Sequence, residues 1–325
     1  MPQKLSHTNS QALYFVKAVA IFSAVTAHAS VIDTTTEVST VITCLWDLFS
    51  SLSIGCFLIT GGILYTRAPG DSARFWKHKA VTLLLPWVFC SGLTYLYRGL
   101  CGHGFGLWGY VNWMLGNGTW YYYATIYVIM LALFKPIWQH PLALWGCVAV
   151  NALVLTGRAF GIHPFAWLPF SEYLNILNWF GFFALGILLR RGGLKLERKA
   201  ILSCSIAFLI AFAYVYRYGI FTYFHIANTL YATFGFFLLF FLGRKLAGSR
   251  LAPFFREVGT STYCIYLLHM PIVQAVSRKV PVTLFHHLCI PIIGFGVMLV
   301  LVQFGKWVTA RIPFGKQVRM LVGLR

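Results

Sequence analysis

A chain of 325 residues that is 59% hydrophobic and only 10% charged has too little polar surface for a soluble globule, in which about a quarter of residues carry charge. The formal net charge of +19 raises nucleic acid as a partner, but the cations fall in alternate gaps between apolar runs, the pattern of membrane topology. Eight cysteines are scattered without a C-x-x-C pair or a Cys/His cluster, so neither a disulfide framework nor a metal site is expected.

Ten apolar runs of about 17–25 residues, each enough to cross a bilayer as a helix, are predicted at 12–32, 41–66, 80–98, 119–138, 140–158, 174–190, 200–217, 223–243, 259–277 and 284–309. The expected fold class is an all-α integral membrane protein, a bundle of about ten transmembrane helices forming one membrane-embedded domain over 1–325. Segment 104–116, with its Gly, Trp, Tyr and Asn, is too polar to span and is expected at the interface. Of the 26 Lys and Arg, five fall in the odd-numbered gaps (Arg98, Arg158, Arg217, Arg278 and Lys279) and Lys17 lies within a span. The other 20 occupy the termini and even-numbered gaps. Positive residues collect on the inner side, so both the N- and C-termini are expected to be cytoplasmic, with anionic membrane lipids as the ordinary partner. The N-terminus lacks the charged, apolar, small-residue pattern of a cleaved signal, so the first span should be retained. A multi-pass chain of this kind fits a bacterial cytoplasmic (inner) membrane. No internal repeat is visible, whereas many secondary transporters carry inverted repeats. Gly61-Gly62 and the pair Gly181/Gly186 read as helix-packing positions.

Lys17 and His28 stand eleven residues apart in the first run. At 100° per residue they return to within about 20° of one helix face and lie roughly 16 Å apart along it. Ionisable groups within a span are expensive and point to function, although a snorkelling lysine and a core histidine would satisfy the same spacing. Asp47 falls near the outer end of the second helix. The second gap ends in Arg74-Phe-Trp-Lys77-His-Lys79. It reads either as a solvated positive-inside loop or as a patch whose ammonium and guanidinium groups bind phosphates. The fourth run opens Gly118-Thr-Trp120-Tyr-Tyr-Tyr123, an aromatic belt or part of a site. The ninth carries Ser261, Tyr263, Tyr266 and His269, with His269 roughly 15 Å from its start and so at a depth comparable to His28. An imidazole just before Met-Pro271 can also simply bond carbonyls freed by the proline.

Five stretches in this order resemble the membrane acyltransferase-3 family, whose members acylate sugars of surface polysaccharides and lipids. Lys17 through His28 resembles its first-helix motif of Arg, ten residues, then His. Phe57-Leu-Ile-Thr60-Gly61 resembles Phe-x-x-Ser-Gly, and Phe75 through Pro86 resembles the basic stretch leading into the third helix. Gly118-Thr-Trp120-Tyr-Tyr resembles the Leu-Trp-Phe start of the fourth. Gly259-Thr-Ser261-Thr-Tyr-Cys-Ile-Tyr266-Leu-Leu-His269-Met-Pro271 resembles the penultimate helix. The compact form looks most like the enterobacterial-common-antigen and exopolysaccharide O-acetyltransferase branch. Four positions depart from the family: Lys17 replaces arginine, Thr60 replaces serine, and Lys79 and Thr82 occupy its Arg-x-x-Arg pair.

The resemblance implies acyl transfer from a cytoplasmic thioester donor, acetyl-CoA, to a hydroxyl of a surface glycan or lipid-linked sugar, without a metal. It places the CoA phosphates on Lys17, Lys79, Arg74 and Lys77. His28 would act as general base or form a covalent acyl-histidine. His269 or Asp47 would orient the imidazole or stabilise charge. Thr60, Tyr123, Ser261 and Tyr266 are candidate oxyanion donors, and Trp120 lies beside them in the fourth-helix motif. The competing class is a transporter, flippase or exporter of a lipid-linked sugar or exopolysaccharide, which polar residues within spans would also suit.

Overall fold

The computed structural model describes residues 5–29, 37–65, 72–164, 167, 169–194, 198–220, 222–279 and 284–324, with backbone alone at 37–40, 198 and 284–287. Arg67, in the basic second gap, lies outside the described residues. Among the described residues every regular element is helical: α1 His7–Ala29, α2 Glu37–Ser50, α3 Ser53–Ile63, α4 Ser72–Lys79, α5 Leu85–Leu100, α6 Leu107–Leu115, α7 Tyr122–Ile137, α8 Pro141–Ala159, α9 Phe180–Arg191, α10 Arg198–Arg217, α11 Ile226–Leu246, α12 Ala252–Ser277, α13 Leu284–Thr309 and α14 Gly315–Leu321. A π-helical turn, Ala80–Leu84, joins α4 to α5.

Among these residues, seven helical stretches are long and apolar enough to cross a membrane: His7–Ala29, Val41–Ile63, Ser72–Leu100, Pro141–Ala159, Lys199–Arg217, Ile226–Leu246 and Leu288–Thr309. The other three expected runs fall on α7 and α9, of 16 and 12 residues, and on α12, whose first turns carry Arg256 and Glu257. Segment 104–116 folds around α6, nine residues long and too short to span. Leu153, Leu209, Val300 and Phe304 stand exposed on the outside of the bundle, where hydrocarbon rather than water is the compatible neighbour.

Helix α1 occupies the middle of the bundle, packed on α12, α11, α3, α13 and α2. Its buried Ala12, Ala18 and Ala20 let neighbouring backbones come close, which is how helices associate where apolar surface has no preference for protein over lipid. Gly259 of α12 lies against the Tyr14 backbone of α1, so close that a Cβ would sit 2.8 Å from the Tyr14 carbonyl oxygen. Gly62 of α3 and Gly186 of α9 face each other, each leaving no room for a methyl against the partner's backbone. Those two are among the predicted packing glycines.

Two departures from regular helix shape the interior. The second membrane stretch breaks between α2 and α3, where Ser50 and Ser51 hydroxyls both donate to the Asp47 carbonyl at 2.7 and 2.9 Å, competing with the helical ladder. The carbonyls loosened there are taken by Ser23 Oγ, which donates to Phe49 O (2.6 Å) and Ser50 O (3.0 Å), and by the Tyr223 hydroxyl, which donates to Ser50 O at 3.1 Å. The π-turn precedes Pro86, which has no N–H to give to the Thr82 carbonyl four residues back. The Leu85 N–H instead reaches five residues back to Ala80 O. Tyr263 of α12 pins the widened turn by donating to Leu83 O at 2.7 Å.

Candidate active site

Because α1 and α12 pack side by side, the histidine near the end of one meets the histidine late in the other. The rings of His28 and His269 lie 5.2 Å apart, tilted by 41°. His269 is 1% exposed, and its Nδ1 stands 2.7 Å from the Tyr266 carbonyl one turn back. A carbonyl can only accept, so Nδ1 carries the proton and Nε2 presents a lone pair. That Nε2 is buried without a hydrogen-bond partner among the described residues. The carbonyl that Pro271 frees, on Leu267, goes elsewhere: the Tyr121 hydroxyl donates to it at 3.0 Å.

The two histidines line a small cavity of about 40 Å³, together with Trp120, Tyr123, Tyr223 and Tyr266. A larger cavity of about 420 Å³ lies towards the start of α1, lined by Lys17, Thr60, His78, Lys79, Thr82 and Tyr263 among others. Phe57, Tyr123 and Tyr266 line both. Their rings form the partition, with centroids 5.7 Å apart for Phe57–Tyr123 and 5.4 Å for Tyr123–Tyr266. The Tyr266 hydroxyl is held on the wall, donating to Trp120 O (2.7 Å) and accepting from the Ala124 N–H (3.2 Å). Lys17 Nζ sits 5.6 Å from the centroid of the Tyr14 ring and Lys79 Nζ 5.5 Å from that of Phe75, so each ammonium stands over an aromatic face.

Lys17, Lys79, Thr60, Tyr123, Tyr266, Trp120, His28 and His269 are therefore gathered around two adjoining cavities. Arg74 and Lys77 are exposed on α4 and line neither; Lys79 reaches in because it sits where the helix passes into the π-turn. Ser261 is buried on the other side of α12, in an apolar groove with Val302 and Trp307 of α13. Asp47 is half-buried on α2 at the break and lines neither cavity; its carbonyl, through Ser50 and Ser51, helps form the bend. In its stead the bend brings Ser53, 3.3 Å from the Tyr223 hydroxyl, to the histidine cavity. Tyr223 carries no sequence motif. The serine cluster around position 51 is the one visible trace of the bend that it serves. Among the described residues no group of three or more His, Cys, Asp or Glu side chains could hold a metal ion.

Apolar helices enclosing two adjoining cavities, one lined by Lys17 and Lys79 and the other by two facing histidines, define a multi-pass membrane protein with an internal site. Residues 11–311 match the sequence profile of the acyltransferase-3 family, described as an acyltransferase domain, and the chain belongs to that family. Comparison with curated proteins and with solved structures found no match. Family and helices together fit a membrane acyltransferase.

Proposed function

We propose that the protein is a ten-span O-acyltransferase of a bacterial inner membrane, with cytoplasmic termini, that moves acetyl from acetyl-CoA to a hydroxyl of a glycan or lipid-linked sugar. The observation that carries this reading is the adjacency of the two cavities across their shared wall of Phe57, Tyr123 and Tyr266, with Lys17 and Lys79 at one and the His28/His269 pair at the other. Lys17 and Lys79 suit the phosphates of CoA, and Arg74 and Lys77 on α4 extend the cationic mouth. The roughly 16 Å from Lys17 to His28 along α1 matches a long pantetheine arm carrying its thioester inward.

His28 then acts as general base. It takes the proton of the acceptor hydroxyl as that oxygen bonds to the thioester carbonyl carbon; the C–S bond breaks, and the departing CoA sulfur recovers the proton from the imidazolium. His269, fixed by the Tyr266 carbonyl, holds its Nε2 lone pair at the same cavity and steadies the charge that builds on His28. The aromatic partition and the small volume around the histidines keep bulk water from competing with the acceptor.

The test is transfer of labelled acetyl from acetyl-CoA to glycan in membrane vesicles carrying wild type or His28→Ala. The variant should insert normally and lose transfer, by the factor of about 10²–10⁴ that general-base catalysis supplies. Full transfer by a well-folded His28→Ala protein would overturn the mechanism, and the absence of label on any glycan with wild type would favour a carrier of lipid-linked sugar.

A further inference from the structure

Cavities follow one another along α12. Thr260, Thr262, Tyr263 and Tyr266 line the large one, Tyr266 and His269 the small one, and Pro271, Gln274, Ala275 and Arg278 a third of about 260 Å³. From Thr260 to Arg278 is about 27 Å of helix, so the third cavity sits at the end of the bundle opposite the lysines. Helix α5 shows the same order: Lys79 and Thr82 precede it at the large cavity, and Thr94 and Arg98 line the third. Trp120 lines both the third cavity and the histidine cavity.

The lining of this cavity is unlike a lipid-facing dent. Trp113 and Trp120 stand edge to face, centroids 5.3 Å apart, and the Arg98 guanidinium lies 5.1 Å from the Trp113 ring. Trp113 is locked in place because its indole N–H donates to Thr94 Oγ1 at 3.1 Å, and Thr94 in turn bonds the Tyr121 hydroxyl at 2.9 Å. Trp120 is only 9% exposed, yet its indole N–H is buried with no acceptor among the described residues. A buried donor without a partner is costly unless a ligand supplies the acceptor.

The cations are the second observation. Only five of the chain's 26 Lys and Arg lie in the odd-numbered gaps, and two of these, Arg98 and Arg278, meet here from helices 180 residues apart. Among the described residues neither forms an ion pair. Arg158, from the same set, instead pairs with Glu172 and lies over the Phe224 ring, a structural arrangement. Aromatic faces beside two open guanidinium groups are suited to a sugar ring that bears an anionic substituent.

We infer that this third cavity is the acceptor subsite and that its ligand is an anionic sugar, bearing a carboxylate or a phosphate, held by Arg98 and Arg278. Its ring lies against Trp113, and a hydroxyl points past the Trp120 N–H towards His269 and His28. The assignment as acceptor rests on the acyltransfer reading above; the binding of a charged sugar does not.

The experiment is saturation-transfer NMR with the full-length protein in nanodiscs, using methyl β-glucuronide, glucose 6-phosphate and uncharged methyl β-glucoside as probes. At least one charged probe should bind well above the neutral one, and the better of the two identifies carboxylate or phosphate as the natural group. Arg98→Gln with Arg278→Gln should weaken the charged probe by roughly tenfold or more, while Arg98→Lys with Arg278→Lys restores part of it. Arg217→Gln, outside the cavity, should leave binding unchanged. Equal binding of the neutral glucoside, or undiminished charged-probe binding by a folded double glutamine variant, overturns the inference. If His28→Ala keeps full transfer while charged-probe binding depends on the arginines, the acyltransfer mechanism falls and the sugar site stands. If His28→Ala is inactive and binding ignores the arginines, this inference alone falls.

Discussion

His269 can be separated into an anchor and a chemical group by one substitution. Its Nδ1–H donates to Tyr266 O at 2.7 Å, while Nε2 faces the cavity shared with His28. His269→Asn keeps a donor near the Nδ1 position and removes Nε2. If the residue were only an anchor, the substitution would disturb one neutral hydrogen bond worth about 1 kcal/mol, roughly a fivefold effect at most. If Nε2 steadies the proton on His28, the loss should approach the factor of about 10²–10⁴ attached to acid–base assistance, or about 3–5 kcal/mol in the barrier. The expected result is a purified His269→Asn protein that melts close to wild type and transfers labelled acetyl at least about a hundredfold more slowly. The assay pairs thermal unfolding in detergent with initial transfer rates at saturating donor. A rate within about fivefold of wild type would refute the chemical role and leave His269 as packing.

Two further outcomes follow from the same geometry. Lys17→Ala should raise the apparent KM for acetyl-CoA by about tenfold with little change in kcat, the effect of losing one charge-assisted phosphate contact, and Lys17→Arg should restore it; an unchanged KM would remove Lys17 from the donor site. Tyr121→Phe should destabilise the protein by about 1–3 kcal/mol in a thermal or denaturant series, because the Leu267 carbonyl freed by Pro271 loses its donor. In a Pro271→Ala background the restored N–H can serve that carbonyl, so the same substitution should cost less; purely additive effects in the double-mutant cycle would disprove the coupling.

The family motifs are readable in the chain itself, and helical periodicity alone places Lys17 and His28 on one face of α1. The comparable depth expected for His28 and His269 is met in the bundle, where the two rings lie 5.2 Å apart. Length, apolar content and the packing glycines Gly61-Gly62 and Gly181/Gly186 are likewise legible, because helix period and side-chain size are written directly in sequence.

What the sequence leaves open is the rotation of each helix and the fate of each freed carbonyl. Ser261 and Tyr266 are five residues apart on α12, and only packing turns the tyrosine to the cavity and the serine to α13. Asp47 and His269 both read as partners for His28, yet the serine-driven break leaves Asp47 out of the histidine cavity and puts Ser53 and Tyr223 there. Arg74, Lys77 and Lys79 form one basic run, and the π-turn before Pro86 selects the last of them for the cavity. Arg98 and Arg278 are 180 residues apart and meet only in the folded bundle.

The sequence by itself thus determined that this chain is helical, membrane-embedded and an acyltransferase-3 family member, with a lysine and a histidine on one face of α1. Tertiary structure alone decided which polar groups share a cavity. In a membrane the outside of a bundle is as apolar as its core, so hydrophobic pattern announces a helix without saying which way it faces. That orientation is set by close glycine contacts, by hydroxyls seeking carbonyls and by prolines releasing them, and these involve partners far apart in the chain.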